Sequence, residues 1–404
     1  MLPLPPFRID PTLLPPPIMT SDPGSFAHYT LKVRVPAILR ETIELNAFPP
    51  AIQADLEVLH AELTGGKVRG LCENTSDRLF WNQVSAPYIG RSWLEVPWYW
   101  AEAFFYRRVL EATRYFQPGP WQGFDPYAVK KQAEWEPNAA PATVTALLDS
   151  LPPDTEERFY RLLHASLWGN RADLSYAVAA HLGSTAPPHT EQSNLLIDDS
   201  AALFRFLRLR PCRRIALIAD NAGTELLMDL ALSDFLLAEG LAQEVTFHLK
   251  PQPFFVSDAM VQDVIAGMAA LKQGGPAAQA LGQRLTGYLA DERLRLATHW
   301  LYATSLFYFQ LPDDLYTELA AMDLVVVKGD ANYRRLLGDA HWPPMADFGQ
   351  LTAYFPAPLV ALRTFKSELV VGLRPGQAEQ LQAEDPEWLV NGRRGVIQAR
   401  LERV

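Results

Sequence analysis

The chain has 404 residues, of which 49% are hydrophobic and only 20% charged, and its 46 acidic residues outnumber 36 basic ones to leave a net charge of −10. Such a composition belongs to a compact protein of one large or two smaller domains, and its excess of carboxylates repels phosphate backbones and anionic membranes, so nucleic-acid and membrane partners are not expected. With only Cys72 and Cys212 and eight scattered histidines, a disulfide scaffold, a cysteine-rich zinc site and an HExxH metal helix are all excluded. A small anion can still bind where the site supplies its own cation.

The first 25 residues carry eight prolines and no basic cluster ahead of an apolar run. They predict an extended, polyproline-like arm over residues 1–25, not a secretory leader, and a soluble cytoplasmic protein is expected. Residues 26–185 have helical periodicity and predict a helical domain. Within it, Trp93–Tyr115 is apolar around most of its circumference, which predicts a buried helix behind Pro97, and Glu156–Trp168 is amphipathic and stops at Gly169. A linker is expected at 184–189 (Ser-Thr-Ala-Pro-Pro-His).

From 186 to 404 short β-type runs alternate with longer helical ones. Strands are predicted at Ile215–Ala219, Glu244–Leu249, Leu324–Val327 and Leu359–Leu362, with Leu369–Val371 adding a strand or pairing segment, and helices at 224–239, 258–271, 276–289 and 313–321. Alternation of this kind predicts an α/β fold, with the helical N-terminal domain packed on a Rossmann-like α/β/α sandwich whose sheet is mostly parallel.

In open α/β sheets ligands bind beyond the carboxyl ends of the strands. Here those ends are polar: Asp220-Asn221-Ala222-Gly223, Ser257-Asp258, Lys328-Gly329-Asp330 and Arg363-Thr364-Phe365-Lys366. Asp220, Asn221 and Asp258 together make a hard oxygen set suited to Mg²⁺, Mn²⁺ or a similar ion. Each also has a plainer reading, with Asp-Asn-Ala-Gly as a turn and Ser257-Asp258 as a helix cap. Thr224 can cap the helix that follows, whose amides would face an anion. Lys366 and Arg334 suit the oxygens of a phosphoryl group. Glu102, on the apolar Trp93–Tyr115 helix, needs a partner such as Arg107 or Arg108, or else lines a pocket. The arginines of 205–214 read as a solvated helix end. There is no GxxxxGK[ST] loop, GxGxxG turn, GxSxG elbow or DxDxT pair, which disfavours a simple dehydrogenase or serine hydrolase and leaves a metal-assisted hydrolase.

Over roughly residues 25–400 the chain resembles the damage-control phosphatase family, in its sugar-phosphate-acting branch, which also contains proteins described as protein-glutamate O-methyltransferases. The resemblance runs through Trp93–Arg108, Leu167–Ser175, Ile218–Leu237, His248–Asp258, Lys328–Arg334 and Arg363–Leu373, the last holding the Arg-Thr-x-Lys signature of that branch. It implies a divalent metal (Mn²⁺, Ni²⁺, Co²⁺ or Mg²⁺) on Asp220, Asn221 and Asp258. It further implies substrate contacts from Asp330, Ala331, Asn332, Tyr333 and Arg334 and from Lys366, with Ala331 in place of the usual leucine. For a methyltransferase the acid meeting the methyl donor would be Glu225, which could equally support the metal from behind its ligands.

The leading expectation is therefore a metal-dependent phosphatase acting on small sugar phosphates such as fructose phosphates, with Asp220, Asn221, Asp258 and Lys366 as its catalytic set. The general acid stays open between Glu102, Asp173 and a metal-bound water. Methyl transfer from S-adenosylmethionine and non-catalytic sugar-phosphate sensing are the alternatives, and neither preferred metal nor oligomeric state is fixed.

Overall fold

A computed structural model describes residues 4–169, 194–210 and 212–403. The expected linker at 184–189, Asp173 and the end of the Leu167–Ser175 motif lie outside the described residues. Within the described part of the proline-rich N-terminal segment, backbone bonds run from Ile18 N to Asp339 O (2.9 Å), Thr20 N to Val96 O (3.0 Å) and Trp98 N to Ile18 O (2.9 Å).

The helical part comprises α1 (Phe26–Tyr29), a π-helical turn at Thr30–Arg34, α2 (Val35–Leu45), α3 (Pro50–Gly65), α4 (Arg78–Ser85), α5 (Trp98–Ala112), α6 (Ala128–Glu134), α7 (Ala140–Asp149) and α8 (Thr155–Trp168). Every residue of α5 except Glu111 is buried, as its all-round apolar character requires. It starts at Trp98 and not at Trp93, because Pro97 sits in extended backbone and disfavours helix in the residue before it. Asp154 caps α8, accepting from Glu157 N.

The sheet is built from β1 (Leu195–Asp198), β2 (Cys212–Ile218), β3 (Ala242–Leu249), β4 (Leu294–Thr298), β5 (Leu324–Lys328), β6 (Leu359–Thr364) and β7 (Gly395–Arg400), in the order β1-β7-β6-β5-β2-β3-β4. All neighbours are parallel except β6 and β7. Between them come α9 (Ser200–Leu209), α10 (Thr224–Ala238), α11 (Val261–Leu271), α12 (Pro276–Ala290), α13 (Asp313–Ala320), α14 (Gly329–Leu337), α15 (Phe348–Leu351) and α16 (Gln377–Glu384). The segment Leu369–Val371 is not a strand. Its carbonyls are taken by side chains instead, that of Leu369 by Arg363 and that of Val371 by Gln398.

Alternate residues of the central strands feed two apolar cores. Ala216, Ile218, Val325, Val327, Leu359 and Ala361 face the core shared with α2 to α5, whereas Ile215, Leu217, Leu324, Val326, Val360 and Leu362 face the core shared with α7, α8 and α10. Helices preceding residue 169 thus help to cover both faces of the sheet. The chain leaves β2 for β3 and β4 on one side and returns to β5 and β6 on the other, so β2 and β5 flank a topological switch point, where a crevice opens at the strand ends.

Candidate active site

At that switch point the turn after β2 and the loop after β3 lie side by side. Asn221 and Asp258 form an isolated antiparallel bridge, with Ala222 N donating to Ser257 O (2.7 Å) and Ala259 N to Asp220 O (2.8 Å). Lys131 of α6 fixes the second loop from the helical side, bonding Asp258 O at 2.9 Å and pairing with Asp263 at 3.0 Å. Ahead of it Phe255 and Val256 have φ of 43° and 64°. A β-branched residue is strained in that region. The tight turn so formed, closed by Ser257 N to Phe255 O, delivers Ser257 Oγ to Asn221 Oδ1 at 2.5 Å.

Asp220, Asn221 and Asp258 are thereby brought together. None serves as the helix cap that the plainer reading allowed: α11 begins at Val261, and Asp263 receives the Met260 amide. Thr224 is likewise not the cap of α10. Gly223, at φ 76°, takes that position, and the Thr224 amide and hydroxyl both donate to Glu134 of α6, so the protein's own carboxylate occupies this helix end.

The electrostatics are unbalanced. Asp220, Glu225, Asp229 and Asp258 are all buried, against the buried ammonium groups of Lys250 and Lys328. Lys250 pairs with Asp258 at 3.1 Å, and Lys328 with Asp229 at 2.8 Å and Glu225 at 3.4 Å. Lys328 also donates to Ser166. Asn221 Nδ2 donates to Asp220 Oδ2 (2.7 Å) and Glu225 Oε2 (2.9 Å). Burial, with the charges of Glu225 and Asp258 adding to it, pushes the Asp220 carboxyl well above the ordinary range; burial also raises Asp258, against the pull of Lys250. Among the described residues no three histidine, cysteine or acidic side chains form a ready-made metal cage. Two carboxylates and an amide do, however, converge where buried negative charge is under-compensated, and that donor set fits a hard divalent cation.

A cavity of about 380 Å³ opens from these groups towards the helical part. Glu102, Glu225, Asp330, Ala331, Arg334 and Lys366 line it. Asn332 and Tyr333, expected as substrate contacts, do not. Asn332 is fully buried, donating to Ala219 O and Lys328 O and accepting from Tyr308, and the buried Tyr333 hydroxyl donates to Gln398. The helix explains this: 330, 331 and 334 share one side of α14, and 332 and 333 fall on the other. Nor does Glu102 pair with Arg107 or Arg108. Those arginines bond Glu73 and Asp77 and Glu62 and Glu111 respectively, and Glu102 instead receives Arg334 at 2.6 Å. Arg334 also donates to both oxygens of Asp339 (2.7 and 3.0 Å) and stacks 3.7 Å from the Trp98 ring, so its guanidinium is held by the protein. Asp330 Oδ1 accepts from Arg363, Ser367 Oγ and the Lys366 amide. The Lys366 ammonium is half-buried and has no ion-pair partner among the described residues.

Lys250 was not singled out from sequence, and Ser257 and Lys328 stood out only as polar strand-end residues, without the roles they have here. Lys328 carried a signal, since a lysine closing the apolar run Leu324–Val327 must enter a buried site and find an acid there.

Residues 30–381 match the damage-control phosphatase ARMT1-like domain, and the chain belongs to that family of metabolite-repair phosphatases. It is 32% identical to damage-control phosphatase ARMT1 of Danio rerio, across 96% of this chain and 97% of that protein. Identity to the Mus musculus protein of the same name is 33%, across 94% and 97%. A DUF89 family protein from Pyrococcus horikoshii shares the fold with a TM-score of 0.50 at 15% identity, across 92% of this chain and 98% of that one. No helix among the described residues is long and apolar enough to cross a membrane.

Proposed function

We propose that the chain is a divalent-metal-dependent phosphatase for small sugar phosphates such as fructose phosphates, working as a metabolite-repair enzyme. The observation that carries this reading is the cluster of under-compensated buried carboxylates, Asp220 and Asp258 with Asn221 between them, facing a cavity that holds Lys366, whose ammonium has no ion-pair partner among the described residues.

Asp220, Asn221 and Asp258 would hold the ion, which supplies polarisation of a phosphoryl oxygen and neutralisation of its charge. Glu225 accepts from Asn221 Nδ2 and so fixes the orientation of the amide, whose oxygen also accepts from Ser257 Oγ. Glu225 is itself tied to Lys328, which suits support of the ligand set better than contact with a methyl donor. Lys366 binds the non-bridging oxygens as charge spreads over them. Asp330, held on one oxygen, orients a sugar hydroxyl with the other. The Glu102–Arg334–Asp339 system fixes the wall against which the sugar rests, and closure of the cavity by α5 and the π-helical turn limits water.

Phosphate release from fructose 1-phosphate and fructose 6-phosphate, with Mn²⁺, Co²⁺, Ni²⁺, Mg²⁺ or EDTA, tests the reading. Metal-dependent turnover is expected. No release with any metal would reject it, and tight sugar-phosphate binding without release would instead mark a sensor.

A further inference from the structure

One short helix, α6, touches both loops that carry Asp220, Asn221 and Asp258. Its Lys131 is buried, and the ammonium meets three oxygens: Asp125 Oδ2 at 3.2 Å, Asp263 Oδ2 at 3.0 Å and the main-chain oxygen of Asp258 at 2.9 Å. An ammonium has three N–H groups and no acceptor, so these oxygens use it fully. Among the described residues no other group donates to the Asp258 carbonyl. One turn further on, Glu134 receives the Thr224 amide (3.3 Å) and hydroxyl (3.0 Å) at the start of α10, three residues past Asn221. Gly223 is fitted to it, since a Cβ there would stand 2.8 Å from Glu134 Cγ. Trp135 then packs on α11 at Gly267, where a Cβ would lie 3.1 Å from its ring.

Charge does not account for the bond to Asp258. Asp125 and Asp263 already outnumber the single ammonium, and the third N–H goes to a neutral carbonyl, where it fixes position. Asp258 needs such a tie, because it ends a turn in which Phe255 and Val256 both have positive φ. Backbone strained in this way persists only where its surroundings hold it. Asp258 lines the cavity, whereas Lys131 does not, so Lys131 acts on the site through the Asp258 backbone.

We propose that Lys131 is a positioning residue for the metal. By holding the Asp258 carbonyl it keeps the Asp258 carboxylate aligned with Asp220 and Asn221, so that a helix preceding the sheet sets the affinity of a site at the strand ends. This rests on the metal reading above. The test is calorimetric Mn²⁺ titration of wild type, Lys131→Met and the triple variant Lys131→Met/Asp125→Asn/Asp263→Asn, with the melting temperature of each recorded in EDTA. Lys131→Met strands two buried carboxylates and should melt lower, and the triple variant, which removes those charges, should recover most of the loss. Mn²⁺ affinity should nevertheless fall about tenfold or more in both, because neither holds the Asp258 carbonyl. The sign is informative, since loss of a nearby cation would by charge alone tighten Mn²⁺ binding in Lys131→Met. Unchanged or tighter binding in folded Lys131→Met, or wild-type affinity in the triple variant, overturns the proposal and leaves Lys131 a structural ion pair. A wild type that binds no Mn²⁺ rejects the metal reading itself, and this proposal with it.

Discussion

Gly329 is packed against Asp220 so closely that a Cβ at position 329 would stand 2.7 Å from the Asp220 Cβ and overlap its carboxyl group. Gly329 also has φ of 82°, which only glycine adopts without strain. The first residue of α14 therefore makes room for the carboxylate that follows β2, and the two sides of the switch point are fitted to each other through this pair.

Gly329→Ala should displace Asp220 and weaken Mn²⁺ binding by about 100-fold or more, since metal affinity is sensitive to ligand placement. Calorimetric titration of the folded variant checks this, and unaltered affinity would show that Asp220 is not a ligand.

Lys328 is the only cation paired with Asp229 and Glu225 among the described residues, and all three are buried. Lys328→Met should cost about 3–5 kcal/mol, the usual consequence of leaving buried carboxylates unpaired. Adding Asp229→Asn should recover part of that loss. Denaturant unfolding of both variants measures it, and a double variant no more stable than Lys328→Met would contradict the pairing.

The pH dependence of the metal-free protein follows from the same cluster. Burial, with repulsion from Glu225, lifts Asp229 to about 6 even though Lys328 opposes the rise. A carboxyl raised in the folded state holds a proton that the unfolded chain has released, so its stabilisation is complete below the ordinary value near 3.8 and is lost as pH rises through about 6. Asp220 and Asp258 shift in the same direction. In EDTA, melting temperature should decline more steeply between pH 4 and about 6.5 in wild type than in Asp229→Asn, and Mn²⁺ should raise it most at the upper end. Parallel curves for the two proteins would remove Asp229 from the account.

Glu102→Ala removes one of two carboxylates from a buried arginine and cuts a link between α5 and α14. A loss of about 3 kcal/mol is expected, with a rise in KM for sugar phosphates because Arg334 and the cavity wall lose their fixed geometry. Unfolding and steady-state kinetics on the same preparation check both.

The central strands β2, β5 and β6 were legible because each holds an unbroken apolar run, Ile215–Ile218, Leu324–Val327 and Leu359–Leu362, as strands covered on both faces do. Strand β3 was legible from its β-branched and aromatic residues Val245, Thr246 and Phe247. By contrast β1, a four-residue edge strand, escaped notice, and so did β4 and β7. Their polar and charged residues, Arg295 in one and Gln398 and Arg400 in the other, interrupt the run, because β4 is an edge strand and β7 turns antiparallel. Strand ends indicated Asp220, Asn221, Asp258 and Lys366 as neighbours, since a parallel sheet brings those ends to one edge. Which residues of Asp330–Arg334 reach the cavity depends on the rotation of α14, and the partner of Glu102 lies 232 positions away, so neither was fixed by local pattern.

The most direct test of the central claim is a Mn²⁺ titration of phosphate release from fructose 1-phosphate by metal-stripped wild type and Asp258→Ala, with melting temperature recorded at each point. The wild type should gain turnover and thermal stability together as the ion saturates, and Asp258→Ala should fold but gain neither over the same range. Equal turnover by the two proteins, or wild-type turnover undiminished in EDTA, would contradict a metal held by Asp220, Asn221 and Asp258.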